Sequence, residues 1–411
     1  MEILISLLGI VTLLGIAFLL SDNKKAINPR TVAGAFLLQA GLGAFALYFD
    51  AGRTAIEALA SGVSKLFSYA DAGIGFLFGS LINPGAGDWG FLFAIKVLPV
   101  IIFFSSLIAV LYHLGIMQLV IRVIGGGIQK LLGTSRSESL SATANVFVGQ
   151  TEAPLLVRPF ISRMTQSELF AIMVGGLASV AGTVLFGYVS MGGDLKFLLA
   201  ACFMSAPGGL LMAKIIKPEV EEPHQDIQSA IDDDPDQPVN VIDAAAVGAS
   251  NGLKLCVNVG AMLIAFISLI AVLNGITGGV GEIFGLPDLT IEKILGWVFY
   301  PIAFIIGTPA ADITQVASLI GQKIIANEFV AFMSYGELIK AGGLTEQGQV
   351  IANFALCGFA NLSSIAILLG GLGAMAPNRR PDIARLGLKA VAAGTLSNLM
   401  SATLAGLFFM L

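Results

Sequence analysis

The sequence predicts an all-α polytopic membrane protein with eight transmembrane helices, two re-entrant helical hairpins in inverted repeats, and interfacial helices. Three observations support this prediction. Of the 411 residues, 56% are hydrophobic and 12% are charged, about half the charged share of a soluble protein. Eight apolar segments are long enough to cross a bilayer, which takes about 20 residues. Two further segments are apolar at both ends and carry Gly, Pro and polar residues in the middle.

The eight crossings differ in how sharply they are bounded. The first has no Lys or Arg before it, so we expect a retained helix rather than a secretory signal. The helix containing 257–275 is expected to start earlier, near Ala244. The predicted crossings are 3–20, 31–49, 91–112, 168–190, 195–213, 257–275, 347–373 and 384–411.

Two segments repeat apolar residues at helical spacing but carry charges, namely 53–69 and 115–132. This pattern is typical of helices that lie in the membrane interface.

The two interrupted segments are 138–160 and 291–335, with breaks at 149–154 and 307–312. Non-helical backbone at membrane depth is tolerated only where it is buried in protein or lines a cavity, so both segments predict re-entrant hairpins. Each is followed by two crossings. An odd number of crossings separates the two units, which predicts an inverted-topology repeat of the kind found in secondary transporters.

The basic residues predict the orientation. With the N-terminus outside, 14 Lys and Arg residues fall in inside segments and six in outside segments, as the positive-inside rule requires. Both termini are therefore expected outside. The six outside residues are Arg53, Lys65, Lys196, Lys293, Lys323 and Lys340.

Residues 218–240 are rich in Asp, Glu and Pro and predict a flexible cytoplasmic linker. Within them, 232–236 matches DDxxD, a magnesium–diphosphate pattern of prenyl-transferring enzymes. That pattern works on a helix, whereas Pro235 interrupts it here. A membrane enzyme acting on a diphosphate lipid is therefore kept only as a distant alternative.

Other classes of function are disfavoured. The net charge is −5 without a dense basic patch, so nucleic-acid binding is not expected. There is no Walker A motif, and the three Cys and two His residues form no metal or redox motif. We expect no enzyme activity and no cofactor.

Two carboxylates fall within the predicted hairpins. Glu152 follows Gln150 and Thr151, and Glu328 is the counterpart in the second unit. A carboxylate at membrane depth is costly and is a functional candidate by default. The alternatives are a structural ion pair of Glu152 with Arg158 and a solvated Glu328. Ionised carboxylates only accept hydrogen bonds, so the pair favours a neutral, hydroxyl-rich ligand.

Polar residues also interrupt two crossings. Asn361 and Ser364 share a helix face within 347–373, which is typical of a broken transport helix. Asn145 and Ser179 are a further pair, and glycines around Ser179 favour unwinding there. Released backbone carbonyls and such side chains suit a monovalent cation. The alternatives are a helix–helix hydrogen bond for Asn361 and Ser364, and packing alone for Asn145 and Ser179.

Three stretches resemble signature segments of the concentrative nucleoside transporters, and the resemblance covers essentially the whole chain. The length is similar to that of the bacterial branch. The stretches are SATANVFVGQTEAPLLVRPF at 141–160, NEFVAF at 327–332 and CGFANLSSIAIL at 357–368.

This resemblance implies a homotrimer in the bacterial inner membrane that imports nucleosides with sodium by an elevator-type mechanism. It implies sodium as the coupling ion and the lipid bilayer and nucleoside as partners. The implied sodium ligands are Asn145, Ser179 and the carbonyls of Val148 and Val180. The implied nucleoside-binding residues are Gln150, Thr151, Glu152, Val184, Leu255, Glu328, Phe359, Asn361 and Ser364.

The resemblance departs at Thr308-Pro309-Ala310, where the family usually has an aliphatic residue, Pro and Trp; we expect this stretch at the tip of the second hairpin. Proton coupling, and a nucleobase or sugar as substrate, are the alternatives. The expected division is a scaffold of 1–137, 194–290 and 377–411, and a transport domain of 138–193 and 291–376.

Overall fold

The computed structural model describes residues 2–83, 91–223, 238–286 and 288–411. In these ranges all regular secondary structure is helical. The first nine α-helices are α1 Glu2–Leu19, α2 Pro29–Leu47, α3 Asp50–Phe78, α4 Phe93–Lys96, α5 Leu98–His113, α6 Ile116–Leu132, α7 Arg136–Ala144, α8 Arg158–Ile161 and α9 Gln166–Ala178.

The described residues of the second half of the chain form nine more α-helices. They are α10 Leu185–Ser190, α11 Leu195–Ile216, α12 Val241–Ile283, α13 Ile291–Ile305, α14 Ile313–Ile325, α15 Glu328–Lys340, α16 Glu346–Leu356, α17 Ser364–Met375 and α18 Arg380–Met410.

All eight predicted crossings coincide with apolar helices. Six spans in the described ranges are long and apolar enough to cross a membrane, and the shorter apolar helices Ile3–Leu19 and Ser364–Met375 fall in the other two predicted segments. The six are Pro29–Leu47, Phe93–His113, Gln166–Ser190, Leu195–Ile216, Val241–Ile283 and Pro377–Met410. The prediction of an all-α membrane protein is confirmed.

Several boundaries differ from the prediction. Helix α12 has 43 residues and is about 65 Å long, more than twice the hydrocarbon thickness of a bilayer. It does begin upstream of Ala244, as expected. The predicted interfacial segment 53–69 lies within the 29-residue α3, and 115–132 corresponds to α6. The linker's Asp-rich stretch, including 232–236, lies outside the described residues.

The first hairpin has one regular arm. Helix α7 starts with a capping box, in which the Ser135 and Glu138 side chains satisfy each other's backbone N–H groups. It ends at Ala144 with Asn145 as its C-cap, and the returning arm is a short 3-10 turn, Ala153–Val157, followed by α8. The following crossing is interrupted between α9 and α10, around Ser179, as the glycines predicted.

The second predicted hairpin contains two turns instead of one. The expected break at 307–312 joins α13 to α14, and a second turn at 326–327 joins α14 to α15. Helix α14 has 13 residues and is about 20 Å long, so the two turns lie at its opposite ends. The hairpin equivalent to the first one is α14–α15. The predicted placement of Thr308-Pro309-Ala310 at the tip of the second hairpin is therefore wrong.

The two units have the same order of elements. In each, a hairpin is followed by an interrupted helix, α9–α10 in the first unit and α16–α17 in the second. Helices α9 and α11 and the C-terminal half of α18 are almost entirely buried and form the centre, whereas most of α12 is exposed. The centre of the molecule therefore consists of the helices that pack directly on the two interruptions.

Candidate functional site

The tip of the first hairpin packs against the interruption of α9–α10. The backbone N–H of Gly182 donates to the Phe147 carbonyl over 3.2 Å. The Gln150 side chain lies directly on Gly176, so any larger residue at 176 would collide with it. Small residues on the interrupted helix thus allow the tip to approach its backbone.

Four oxygen atoms with spare acceptor capacity belong to this contact. Asn145 is buried and donates from Nδ2 to the Ser141 carbonyl over 2.9 Å, while its Oδ1 has no hydrogen-bond partner among the described residues. Ser179 Oγ donates to the Gly175 carbonyl over 3.0 Å and keeps its lone pairs. In the part of the chain that is described, no hydrogen bond reaches the carbonyls of Val148 or Val180. An orphaned buried oxygen beside unused carbonyls fits a hard monovalent cation.

Residues 150–152 face different neighbours. Gln150 is buried, and its Oε1 has no hydrogen-bond partner in the described parts of the chain. Thr151 packs on Gly371 of α17, so it joins the first hairpin to the second interrupted helix. Glu152 folds back on its own hairpin, accepting from the Gly149 N–H over 2.5 Å. Gln150 therefore has an unused buried polar atom for a ligand.

Glu328 is the first residue of α15 and is 3% exposed. Its position is set by Asn327, whose side chain caps the helix by accepting from the Val330 N–H over 3.0 Å. A carboxylate at a helix N-terminus is favoured by the helix dipole. Asn361 Nδ2 donates to Glu328 Oε2 over 3.0 Å. The second hairpin and the second interruption are joined at this bond.

Ser364 completes this group. Its backbone N–H donates to Asn361 Oδ1 over 2.9 Å, and its hydroxyl lies 2.6 Å from the Phe359 carbonyl and 3.0 Å from the same Oδ1. The amide of Asn361 is thereby oriented with Nδ2 toward Glu328. The structure therefore brings together three residues selected from the sequence, Glu328, Asn361 and Ser364, in one buried polar cluster.

Tyr188 belongs to this cluster and sequence reasoning missed it. Its hydroxyl donates to Glu328 Oε1 over 3.2 Å. Its ring stacks on Phe332 at 4.7 Å and an interplanar angle of 18°, and it contacts Phe329 at 4.9 Å. The only signal was a hydroxyl-bearing aromatic residue within an apolar run. Tyr188 holds the carboxylate on the side opposite Asn361.

The remaining predicted residues are more dispersed. The Phe359 N–H donates to the Ser179 carbonyl over 3.1 Å, so the two interrupted helices are hydrogen-bonded to each other. Val184 is buried in the 3-10 turn before α10. Leu255 is half-buried on α12, and no described contact joins it to Glu328.

Two further polar residues were missed, Lys323 and Asn398. Lys323 was predicted in an outside segment, but it is 2% exposed at the end of α14, and its ammonium donates to Asn398 Oδ1 over 2.7 Å. Counting Lys323 among the basic residues of the outside segments was therefore wrong, because Lys323 lies in the packed α14–α15 hairpin and not in a loop.

In the described ranges no group of three His, Cys, Asp or Glu residues is placed to hold a metal ion. What is present is a buried carboxylate, an oriented amide, hydroxyl groups and aromatic rings. This combination suits the binding of a neutral polar molecule with hydroxyl groups and a flat, apolar part.

Comparison with known proteins identifies the family. Three family profiles match: Na+ dependent nucleoside transporter N-terminus over residues 8–81, nucleoside recognition (Gate) over 94–195, and Na+ dependent nucleoside transporter C-terminus over 197–406. The nucleoside permease NupC of Helicobacter pylori is 51% identical over 414 residues, covering 98% of this chain and 97% of the permease.

Two solved structures are similar over the whole chain. CNTnw in an inward-facing substrate-bound state has a TM-score of 0.94 and 56% identity, covering 99% of this chain and 98% of CNTnw. A variant of CNTnw in an outward-facing state has a TM-score of 0.97 and 55% identity, covering 100% and 99%. The chain therefore belongs to the concentrative, Na+ dependent nucleoside transporter family, in its bacterial branch.

Proposed function

We propose that this protein is a secondary active transporter that imports nucleosides by sodium symport. The observation that carries the proposal is the buried cluster of Glu328, Asn361 and Ser364, hydrogen-bonded through Phe359 and Ser179 to an interruption with unused oxygen atoms. One half of this arrangement suits a ribose and the other suits a cation.

The ribose is assigned to the second hairpin and second interruption. Glu328 accepts from the ribose hydroxyls, and Asn361 and Ser364 supply further hydrogen bonds. In the described structure Tyr188 and Asn361 already occupy both carboxylate oxygens. Each oxygen has lone pairs left for a ligand hydroxyl, since an ionised carboxylate has about four acceptor positions.

The base is assigned to the first hairpin tip. Gln150 has an unpartnered Oε1 and an amide donor, which together can read a base edge. Thr151 and Glu152 are proposed to act beside it. Val184, Leu255 and Phe359 are proposed as the apolar contacts of the base.

Sodium is assigned to Asn145 Oδ1, Ser179 Oγ and the carbonyls of Val148 and Val180. The unpartnered Asn145 oxygen supports this assignment. The gradient drives uptake, and a membrane potential adds about 2.3 kcal/mol per charge per 100 mV. Since one related structure is outward-facing and another inward-facing, we propose alternating access of the elevator type.

The moving unit is proposed to contain 138–193 and 291–376, with a scaffold built from 1–137 and α12. Helix α18 was expected in the scaffold. Its Asn398 bonds both interrupted helices, at Ala178 and Cys357, which favours placing 377–411 in the moving unit. We further propose a homotrimer in the bacterial inner membrane with both termini outside.

Uptake of labelled uridine into proteoliposomes tests this function. An inward sodium gradient should drive accumulation, and an equal potassium gradient should not. Competition by adenosine, uracil and ribose identifies the substrate class, and a proton gradient without sodium tests the alternative coupling ion. Accumulation that ignores sodium, or equal competition by free ribose, would contradict the proposal.

A further inference from the structure

Lys323 places a buried positive charge at the end of α14. Its ammonium donates to the Ala355 carbonyl and to Asn398 Oδ1, each over 2.7 Å. Ala355 lies in the last turn of α16, where carbonyls have no partner within the helix. A cation at a helix C-terminus is favoured by the helix dipole. Lys323 therefore fixes the end of α16 from the neighbouring hairpin.

Asn398 extends this contact to the other interrupted helix. Its Nδ2 donates to the carbonyl of Ala178, the last residue of α9, over 2.6 Å, and to the Cys357 carbonyl over 3.0 Å. One amide group thus bonds the carbonyl groups at which both helices stop. Gly358 permits this approach, because a β-carbon at 358 would meet the Asn398 side chain.

The two interruptions carry the two proposed binding sites. Ala178 directly precedes Ser179, a proposed sodium ligand, and Cys357 lies shortly before Phe359 and Asn361, proposed nucleoside ligands. A shift of either chain segment changes the distance from its carbonyl to Asn398. Because a buried carbonyl left without its donor is costly, a displacement on one side disfavours displacement on the other.

We propose that Lys323 and Asn398 are positioning residues that couple sodium binding to nucleoside binding. This inference rests on the proposed function and goes beyond it, since neither residue is assigned to either ligand. Coupling of two sites is reciprocal and typically changes affinity by about 5–150-fold. Most of this change in affinity should depend on the hydrogen bond between Lys323 and Asn398. Each site should keep its own affinity when the other ligand is absent.

The test measures uridine binding by calorimetry to the purified full-length protein, without sodium and at several sodium concentrations. Asn398→Ala removes this hydrogen bond, and Asn398→Asp keeps the shape and the acceptor for Lys323 but removes the donor to both carbonyls. In both variants, sodium should change uridine affinity by no more than twofold. Uridine affinity without sodium should stay within about threefold of wild type.

Thr403→Val is the matched control, because Thr403 is buried on the same helix and bonds only the Leu399 carbonyl of its own turn. It should keep the full sodium effect. Lys323→Arg, which keeps the charge and donors, should retain most of the sodium effect that Lys323→Met loses. Thermal melts show whether each variant is folded. If Asn398→Ala does not fold, the test uses Asn398→Asp alone to remove the donor.

An undiminished sodium effect in Asn398→Asp and Lys323→Met would overturn the inference, as would an equal loss in Thr403→Val. Failure of the proposed function is a different result. In that case the wild-type protein itself would bind no uridine, or would bind it with the same affinity at every sodium concentration.

Discussion

Asn361 donates from Nδ2 to Glu328 Oε2 over 3.0 Å, and so attaches the tip of the α14–α15 hairpin to the interruption between α16 and α17. The two residues are 33 positions apart, and both are buried. A hairpin that moved away from α17 would break this bond and expose a carboxylate. The ligand position and the closure of the hairpin are therefore linked through one contact.

Glu328→Gln should weaken uridine binding strongly. A hydrogen bond to a charged group contributes about 1.5–3 kcal/mol, equivalent to about 10–150-fold in affinity. The variant keeps the shape but loses the charge and one acceptor. Calorimetry should show a much smaller loss for 3′-deoxyuridine if the 3′-hydroxyl is the partner. Near-wild-type uridine affinity with a lowered melting temperature would instead make Glu328 a purely structural residue.

Tyr188→Phe should cost less uridine affinity than Glu328→Gln, less than about 10-fold, because the lost hydroxyl positions the carboxylate and is not a proposed ligand contact, and the ring stays stacked on Phe332. The same calorimetric titration measures it. Tyr300→Phe, a change at a partly exposed ring on α13, is the control and should bind like wild type. A loss as large as that of Glu328→Gln would mean that Tyr188 contacts the ligand itself.

Asn145→Ala or Ser179→Ala should raise the sodium concentration needed for half-maximal uridine uptake. The first removes an oxygen that has no partner among the described residues, together with the Nδ2 donor to the Ser141 carbonyl. Ser190→Ala removes a comparable hydroxyl, bonded to the Gly187 carbonyl of its own helix, and should leave sodium dependence unchanged. If both site variants keep the wild-type sodium curve, the cation is bound elsewhere.

Gln150→Ala should alter the choice of base more than the tolerance of the ribose. Each neutral hydrogen bond that is lost should lower affinity about 2–12-fold. The number of bonds lost, and so the loss of affinity, should differ between uridine, adenosine and inosine. Competition against labelled uridine uptake measures the ratios. An equal loss for all three nucleosides would indicate that Gln150 only supports the packing on Gly176.

Stability should depend on pH through Asp22, which lies between α1 and α2 and pairs with Lys217 over 3.0 Å and with Lys389. Burial alone raises the pKa of this carboxyl, but the hydrogen bonds from Lys389 and Lys217 outweigh it and hold the pKa below its ordinary 3.8. The stabilisation is therefore complete above the unfolded pKa and is lost as pH falls through the folded pKa.

Melting temperatures of the wild type and Asp22→Asn should accordingly differ at pH 6 and converge toward pH 3. The difference should be at most about 3 °C, because the pair is partly solvated. Asp50→Asn removes the exposed Asp50–Arg53 pair and should change little at either pH. A constant difference between wild type and Asp22→Asn at all pH values would contradict an electrostatic origin.

Hydropathy predicted the crossings and the interruption at Ser179 because both leave local signals in the sequence. The second hairpin was placed incorrectly because Gly307 and Pro309 are strong breakers, whereas the true tip at 326–327 contains neither Gly nor Pro. Its signal is Asn327 capping α15, a weaker pattern within an apolar run.

Contacts between distant segments had no such signal. Lys323 and Asn398 are 75 residues apart, and Tyr188 and Glu328 are 140 apart. A lone Lys after an apolar run looks like a loop residue, and only the packed fold shows that it is buried. Three of the residues selected from the sequence do meet in one cluster, but the partners that orient them come from elements whose proximity is purely tertiary.

The bond from Asn398 to Ala178 has a consequence for biosynthesis. Domains generally form from the N-terminus while the chain is being made. Here α9 ends with a carbonyl whose donor, Asn398 on α18, is 220 residues downstream. The first interrupted helix therefore lacks this hydrogen bond until α18 has been synthesised and has packed against it. A chain truncated before residue 398 would lack the donor for both halves of the repeat and should be recognised by quality-control proteases as unfinished.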